Sequence, residues 1–245
     1  MRLWILGLAL LAVGPSWAGD VTVKDGVTIA VDGATFRLDG IDAPEADQFC
    51  LNEKGAVSRC GIEARDRLKT LLAGRAVHCE DKGPDPVYPK RRIGVCRIDG
   101  DATTLNQWLV RQGWAVKLEP YAKGRFAADE DEAKASRAGL WKGCFAIPQD
   151  LRRWNKSTAK LLGASCSMIR DIDARNALFP DDPGMPPDCS IKGKFAVRAK
   201  LTGHRGIYHL ESCGSYQRTK KPDRWFCSEE DAQAAGFRKA LTCRS

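Results

Sequence analysis

Phe36-Arg37-Leu38-Asp39-Gly40-Ile41-Asp42-Ala43-Pro44-Glu45 is the stretch whose reading decides the fold. Phe36 and Leu38 alternate with polar neighbours, the two-residue period of a half-buried strand. Pro44 disfavours helix at Ala43 and stiffens the turn, so Asp42 and Glu45 are expected to project from a fixed loop. A guanidinium beside two carboxylates at a strand end suits chemistry at a phosphodiester. One acid can hold a metal, one can activate water, and the arginine can neutralise phosphoryl charge.

Working outward, Val21–Lys24, Val27–Val31 and Ala34–Leu38 read as short strands. Asp25-Gly26 and Asp32-Gly33 are the hairpin signals between them. Beyond the proline turn, Ile62–Leu72 sets Ile62, Ala64, Leu68, Leu71 and Leu72 near one helical face, and Gly74 stops it. Ala76–Glu80 and Ile93–Ile98 resume strand character around a charged, proline-containing excursion. Leu105–Val110, capped by Thr103 or Thr104 and ended by Gly113, is a second helix, and Phe126–Arg137 a third. Strands, helix, strands and helices in that order predict a small β-barrel with helices packed on it, an α+β fold for which an OB-type barrel is one solution. Trp108, Trp114 and Trp141 fall at apolar positions and read as core.

The first 18 residues read as a secretory signal: Arg2, an apolar run Leu3 to Val13, and Ser16-Trp17-Ala18 before a cut after Ala18. No later segment is apolar enough to span a bilayer. All 10 cysteines lie beyond that cut, and an even count in an exported chain predicts disulfides in a secreted or periplasmic protein. Sequence alone does not fix connectivity: Cys50 and Cys60 could close a short loop, and Cys79 and Cys96 lie in two apolar runs that could be neighbouring strands. Cys144, Cys166, Cys189, Cys213, Cys227 and Cys243 are left to pair among themselves. Lys and Arg number 39 against 31 Asp and Glu, a net +8, and nearly the whole excess lies after residue 150. A basic appendage of this kind suits DNA, RNA or another polyanion, although it would also serve as a solvated surface.

The Ile41-Asp42-Ala43-Pro44-Glu45 turn resembles the signature of the staphylococcal nuclease (thermonuclease-like) family. Asp25-Gly26-x-Thr28, the helix with Ala64 and Leu68, Leu109-Val110-Arg111-Gln112-Gly113 and Gly139-Leu140-Trp141 extend the likeness over roughly residues 20–145. The resemblance implies an OB-fold barrel and calcium-dependent cleavage of DNA or RNA. It makes Glu45 the base that activates water, Asp42 a metal ligand, and Arg37 and Arg91 the phosphate-stabilising arginines. Tyr88, Lys90 and Tyr121 become candidates for contact with substrate. One departure stands out: Val27 occupies the place of a metal-binding aspartate and brings no oxygen, which should weaken calcium binding.

The organisation expected is therefore a signal at 1–18, a thermonuclease-like barrel at 19–145, a less regular connector at 146–190 and a small basic cysteine-containing α+β module at 191–245. In that module, Phe195–Leu201 and Ile207–Leu210 suggest a hairpin, followed by a helix near Glu229–Ala235. His209, Cys213, Cys227 and Cys243 admit either zinc or disulfides. The layout weakly resembles the Ada-type DNA-repair zinc domain, with His209 and Ala240 where that family has cysteines. Export favours disulfides. Two functions remain in competition: a metal-assisted nuclease, and a nucleic-acid- or polyanion-binding protein on the same fold. An anionic polysaccharide is a third ligand class.

Overall fold

Both Asp-Gly pairs turn the chain where they stand. In the computed structural model, which describes residues 20–196 and 203–243, they join β1 (Val21–Val23), β2 (Thr28–Val31) and β3 (Ala34–Leu38) into an antiparallel meander. The second turn has φ of 49° at Asp32 and 82° at Gly33, the left-handed pair of a tight hairpin. The signal segment lies outside the described residues.

The remaining barrel follows from pairing and packing. Short strands β4 (Ile41–Asp42), β5 (Cys50–Leu51) and β6 (Val57–Ser58) lead into α1 (Cys60–Leu72). Strands β7 (Val77–Pro84) and β8 (Arg92–Ile98) form a hairpin crossed by the Cys79–Cys96 disulfide, and β8 then runs parallel to β3. The sheet order is therefore β1-β2-β3-β8-β7. Helix α2 (Leu105–Arg111) is capped by Thr104, whose hydroxyl accepts from Gln107 N. After it, β9 (Val116–Lys117) pairs with β4, and α3 (Ala127–Ala135) packs on α2. The result is an OB-type barrel. Ile29, Leu38, Ile41, Leu68, Leu105 and Leu109 fill it, each leucine or isoleucine contributing about 1.5–3 kcal/mol by leaving water.

Residues 146–190, expected to be irregular, carry more structure than their sequence pattern suggests. Strand β10 (Phe145–Ala146) leads into α4 (Pro148–Arg152), which starts on a proline already set to helical φ. Strand β11 (Leu161–Leu162) returns to β10, and α5 (Asp171–Leu178) follows. Leu51, Leu151, Ala174, Leu178 and Phe179 make a separate buried cluster here, next to Cys144–Cys166. Its apolar residues come from several short elements, so no single window has a readable period.

The last part is a four-stranded sheet ordered β14-β12-β13-β15, numbered along the chain. Its strands are β12 (Ile191–Phe195), β13 (Gly206–His209), β14 (Arg224–Phe226) and β15 (Phe237–Lys239). The expected hairpin exists as β12–β13, but its first strand lies earlier than expected and residues 197–201 fall outside the described residues. Helix α6 (Glu229–Ala234) is capped by Ser228, whose hydroxyl accepts from Asp231 N. Cys189–Cys227 and Cys213–Cys243 cross-link this small sheet.

Candidate active site

Two glycines let the acidic loop sit where it does. A side chain at Gly61, on α1, would fall 1.8 Å from Glu45 O, and one at Gly26 would fall 2.8 Å from the Ala43 methyl. Helix and hairpin thus press directly on the Asp42–Glu45 turn. Gln48 completes its support: its amide oxygen accepts from Glu45 N at 3.2 Å, and its NH2 donates to Ala146 O at 2.7 Å. Cys50–Cys60 ties the end of the loop to the start of α1.

Arg37 and Asp42 come together as expected, with Arg37 Nη2 donating to Asp42 Oδ1 at 2.8 Å. A third arginine joins them. Arg152, the last residue of α4, donates through Nη1 to Asp42 Oδ1 at 2.9 Å and through Nη2 to Asp42 Oδ2. Its Nη1 also donates to Glu45 Oε1. One guanidinium therefore grips both carboxylates, the planar fork that suits arginine and no lysine.

The charges follow from that geometry. Burial pushes Asp42 upward, but Arg152 and Arg37 outweigh it and hold the carboxyl below its ordinary range. Burial dominates at Glu45, with repulsion from Asp42, and keeps it raised despite Arg152. Arg152 loses solvation, yet the two carboxylates hold its proton more firmly than usual.

Arg91 is differently placed from the expectation of a free phosphate ligand. It is only 2 % exposed, and its guanidinium is spent on Asp85, from Nε at 2.9 Å and Nη2 at 2.8 Å. It still forms part of the wall of two neighbouring cavities. One is an open cleft of about 220 Å³ that Arg37, Arg91, Arg152, Val87 and Tyr121 help to line. The other is a chamber of about 20 Å³ bounded by Asp25, Val27, Glu45, Arg91, Arg152 and Asp231. Tyr88 and Lys90 face neither cavity. They line a shallow groove of about 620 Å³ with Tyr208, Arg238 and Lys239.

The small chamber is roofed by α6. Asp231 and Ala234 close it from the C-terminal side, and burial together with Asp25 and Glu45 raises the Asp231 carboxyl well above its ordinary value. Arg224 fastens this roof. Wholly buried, it donates to Asp47 Oδ2 at 2.6 Å and Oδ1 at 2.8 Å, and to Leu151 O at 3.1 Å. Trp225 N adds a bond to Asp47 Oδ2 at 3.1 Å. The acidic loop, α4 and the C-terminal sheet thus share one buried ion pair. No local motif marks Arg152, Asp231 or Arg224, because each acts far along the chain from its partners.

The metal expectations fare unevenly. Cys213 pairs with Cys243 and Cys227 with Cys189, leaving no thiolate of the proposed zinc set, and His209 Nδ1 meets Ser215 Oγ at 2.7 Å. The disulfide alternative holds. Calcium does not fit the residues around Asp42. The Val27 side chain offers no oxygen, the Val27 carbonyl already accepts from Leu38 N, both Asp42 oxygens are bonded to guanidinium, and Glu45 shares the same arginine. Among the described residues no group of three His, Cys, Asp or Glu side chains is arranged to hold a metal ion.

Residues 35–143 match the family model described as staphylococcal nuclease homologue. Over those residues the barrel is similar to the staphylococcal nuclease homologue family. That family is calcium-dependent in general, and Val27 lies before the matched residues. Similarity also extends to the succinoglycan biosynthesis protein ExoI of Rhizobium meliloti (strain 1021), 38% identical over 125 residues. That match takes in 51% of this chain and 64% of the relative, so the chain spans somewhat under two thirds of the curated relative's length. Arg152 lies outside the residues matched to the nuclease homologue model, as do Asp231 and Arg224. Among the described residues no helix is long and apolar enough to cross a membrane, and the five disulfides are consistent with a secreted or periplasmic protein.

Proposed function

We propose that this chain is an exported nuclease-like protein that binds the phosphodiester backbone of DNA or RNA, and that the closed form described above is its non-hydrolysing state. The observation that carries this reading is the Arg152 guanidinium seated on Asp42 and Glu45 beneath the α6 roof. For in-line attack a phosphorus atom must come within about 3.5 Å of a water activated by Glu45. A chamber of about 20 Å³ holds little more than that water. Phosphate is better accommodated in the adjoining cleft, where Arg37 and Arg152 line the wall and Tyr121, 57% exposed, offers a ring for stacking. The basic excess after residue 150, with Lys90, Arg238 and Lys239 around the shallow groove, would hold the strand by charge. Recognition of this kind reads phosphate rather than bases.

Hydrolysis belongs to a second reading, in which α6 lifts. It is favoured by Glu45, whose raised carboxyl is a better base than an ordinary glutamate. In that form Glu45 would take the proton from water, and Arg37 would face the charge developing on phosphorus. ExoI, named for succinoglycan biosynthesis, makes succinoglycan a further ligand to try.

The test incubates oxidised mature protein with single-stranded DNA, with calcium and with chelator, beside Glu45→Ala. Salt-sensitive binding without cutting, equal in both proteins, is the expected result. Calcium-dependent cutting that disappears in Glu45→Ala would replace it with an ordinary nuclease. Binding to succinoglycan but not to oligonucleotide would move the ligand to the polysaccharide.

A further inference from the structure

We infer that Arg152 is the resident cation of this acidic site, supplying from the chain itself the positive charge that a divalent ion would otherwise bring. The case begins with electroneutrality. Asp47 is matched by Arg224 and Asp85 by Arg91, each pair buried and hydrogen-bonded. Asp42 is matched by Arg37 and shares Arg152 with Glu45. Asp42, Glu45, Asp47 and Asp85 therefore each have a guanidinium, and a dication added at Asp42 and Glu45 would meet fixed positive charge at close range.

Geometry points the same way. A metal held by Asp42 and Glu45 would have to gather their lone pairs round one centre. Arg152 gathers the same oxygens round one guanidinium carbon, by three N–H bonds. Its placement is built in rather than accidental. Arg152 ends α4, and the carbonyl of Leu151 beside it accepts from the wholly buried Arg224. The position of the guanidinium is thus set by the same residue that clamps the acidic loop through Asp47. Val27 fits this arrangement: an aspartate there would add one more carboxylate beside Asp25, Glu45 and Asp231. The inference concerns charge and metal at Asp42 and Glu45, and it stands whether or not the neighbouring cleft takes nucleic acid.

The experiment follows thermal unfolding of the intact oxidised protein in 10 mM calcium chloride and in chelator, a protocol of about those concentrations being enough to fill a millimolar site. Wild type is expected to unfold at the same temperature in both. Arg152→Ala, which strands two buried carboxylates, is expected to lose about 10 °C in chelator and to regain roughly 3–5 °C of it with calcium. A wild-type midpoint that rises by several degrees in calcium, with the rise abolished by Asp42→Asn, would overturn the inference. If Arg152→Ala does not fold, equilibrium dialysis of wild type against calcium decides alone. No bound ion above that found with Asp42→Asn supports the inference, and one ion per chain lost in Asp42→Asn sinks it. Neither readout uses nucleic acid, so failure here is distinct from failure of the binding proposal.

Discussion

The barrel and the C-terminal sheet both close a core, but by different means. In the barrel, strands and helices bury a continuous cluster from Val23 to Ala115, and the disulfides Cys50–Cys60 and Cys79–Cys96 join residues only 10 and 17 positions apart. The C-terminal sheet has a small core built on Ile191, Tyr208, Phe226 and Phe237, and its disulfides span 30 and 38 positions. A chain segment of this size buries too little apolar surface to stand easily without such staples. The difference teaches where function was added. The barrel supplies the acids, and the later segments supply the arginine and the roof that neutralise and cover them.

The largest effect should come from the staples. Replacing Cys189 and Cys227 together by alanine should cost about 4–5 kcal/mol. The same double replacement at Cys50 and Cys60 should cost about 1 kcal/mol less on loop closure alone. Calorimetry on both variants decides, and equal losses would erase the contrast between the two regions. Next comes the clamp between them. Arg224→Ala leaves Asp47 buried without its partner and should cost about 3–5 kcal/mol. Denaturant unfolding measures it, and a loss under 1 kcal/mol would mean that the two regions are not energetically joined through this pair.

The smallest effect tests the roof by pH. Asp231 faces Asp25, Glu45 and Arg91, with Ser228 at its helix start, and its carboxyl is raised. The folded chain therefore holds a proton that the unfolded chain releases near pH 4. Stability attributable to Asp231 is greatest at acid pH and declines as pH rises from there to the raised folded value. Asp42 works in the opposite sense, losing its contribution as pH falls below the ordinary carboxylate range. Asp231→Asn should remove the first of these slopes and raise the unfolding midpoint near pH 7 by roughly 2–4 °C. An unchanged pH profile would show that the roof carboxyl is not held neutral.

Legibility in the sequence followed distance along the chain. Arg37, Asp42 and Glu45 lie within one short stretch, and a strand period plus one proline sufficed to set them on a loop. The hairpins at Asp25-Gly26 and Asp32-Gly33 and the cap at Thr104 were equally local. Cys50–Cys60 closes a short loop and Cys79–Cys96 joins neighbouring strands, pairings that local sequence allows without fixing. By contrast, Arg152 sits in a five-residue helix with no periodic pattern, and Arg224 looks like any surface arginine until the fold buries it. Arg91 was found in sequence, but its pairing with Asp85 depends on how the loop between β7 and β8 folds back. Tyr88 and Lys90, on the loop between β7 and β8, line the shallow outer groove rather than the inner cleft.

The Asp47–Arg224 pair joins residues 177 positions apart, and Asp42 and Arg152 are separated by 110. During synthesis Arg37 precedes the acidic loop, but Arg152 and Arg224 follow long after it. Until those two arrive, Glu45 and Asp47 must stay hydrated or protonated, because burying them unpaired is too costly. The barrel can assemble its apolar core early, but its mouth cannot settle into the closed arrangement until Arg224 has been made.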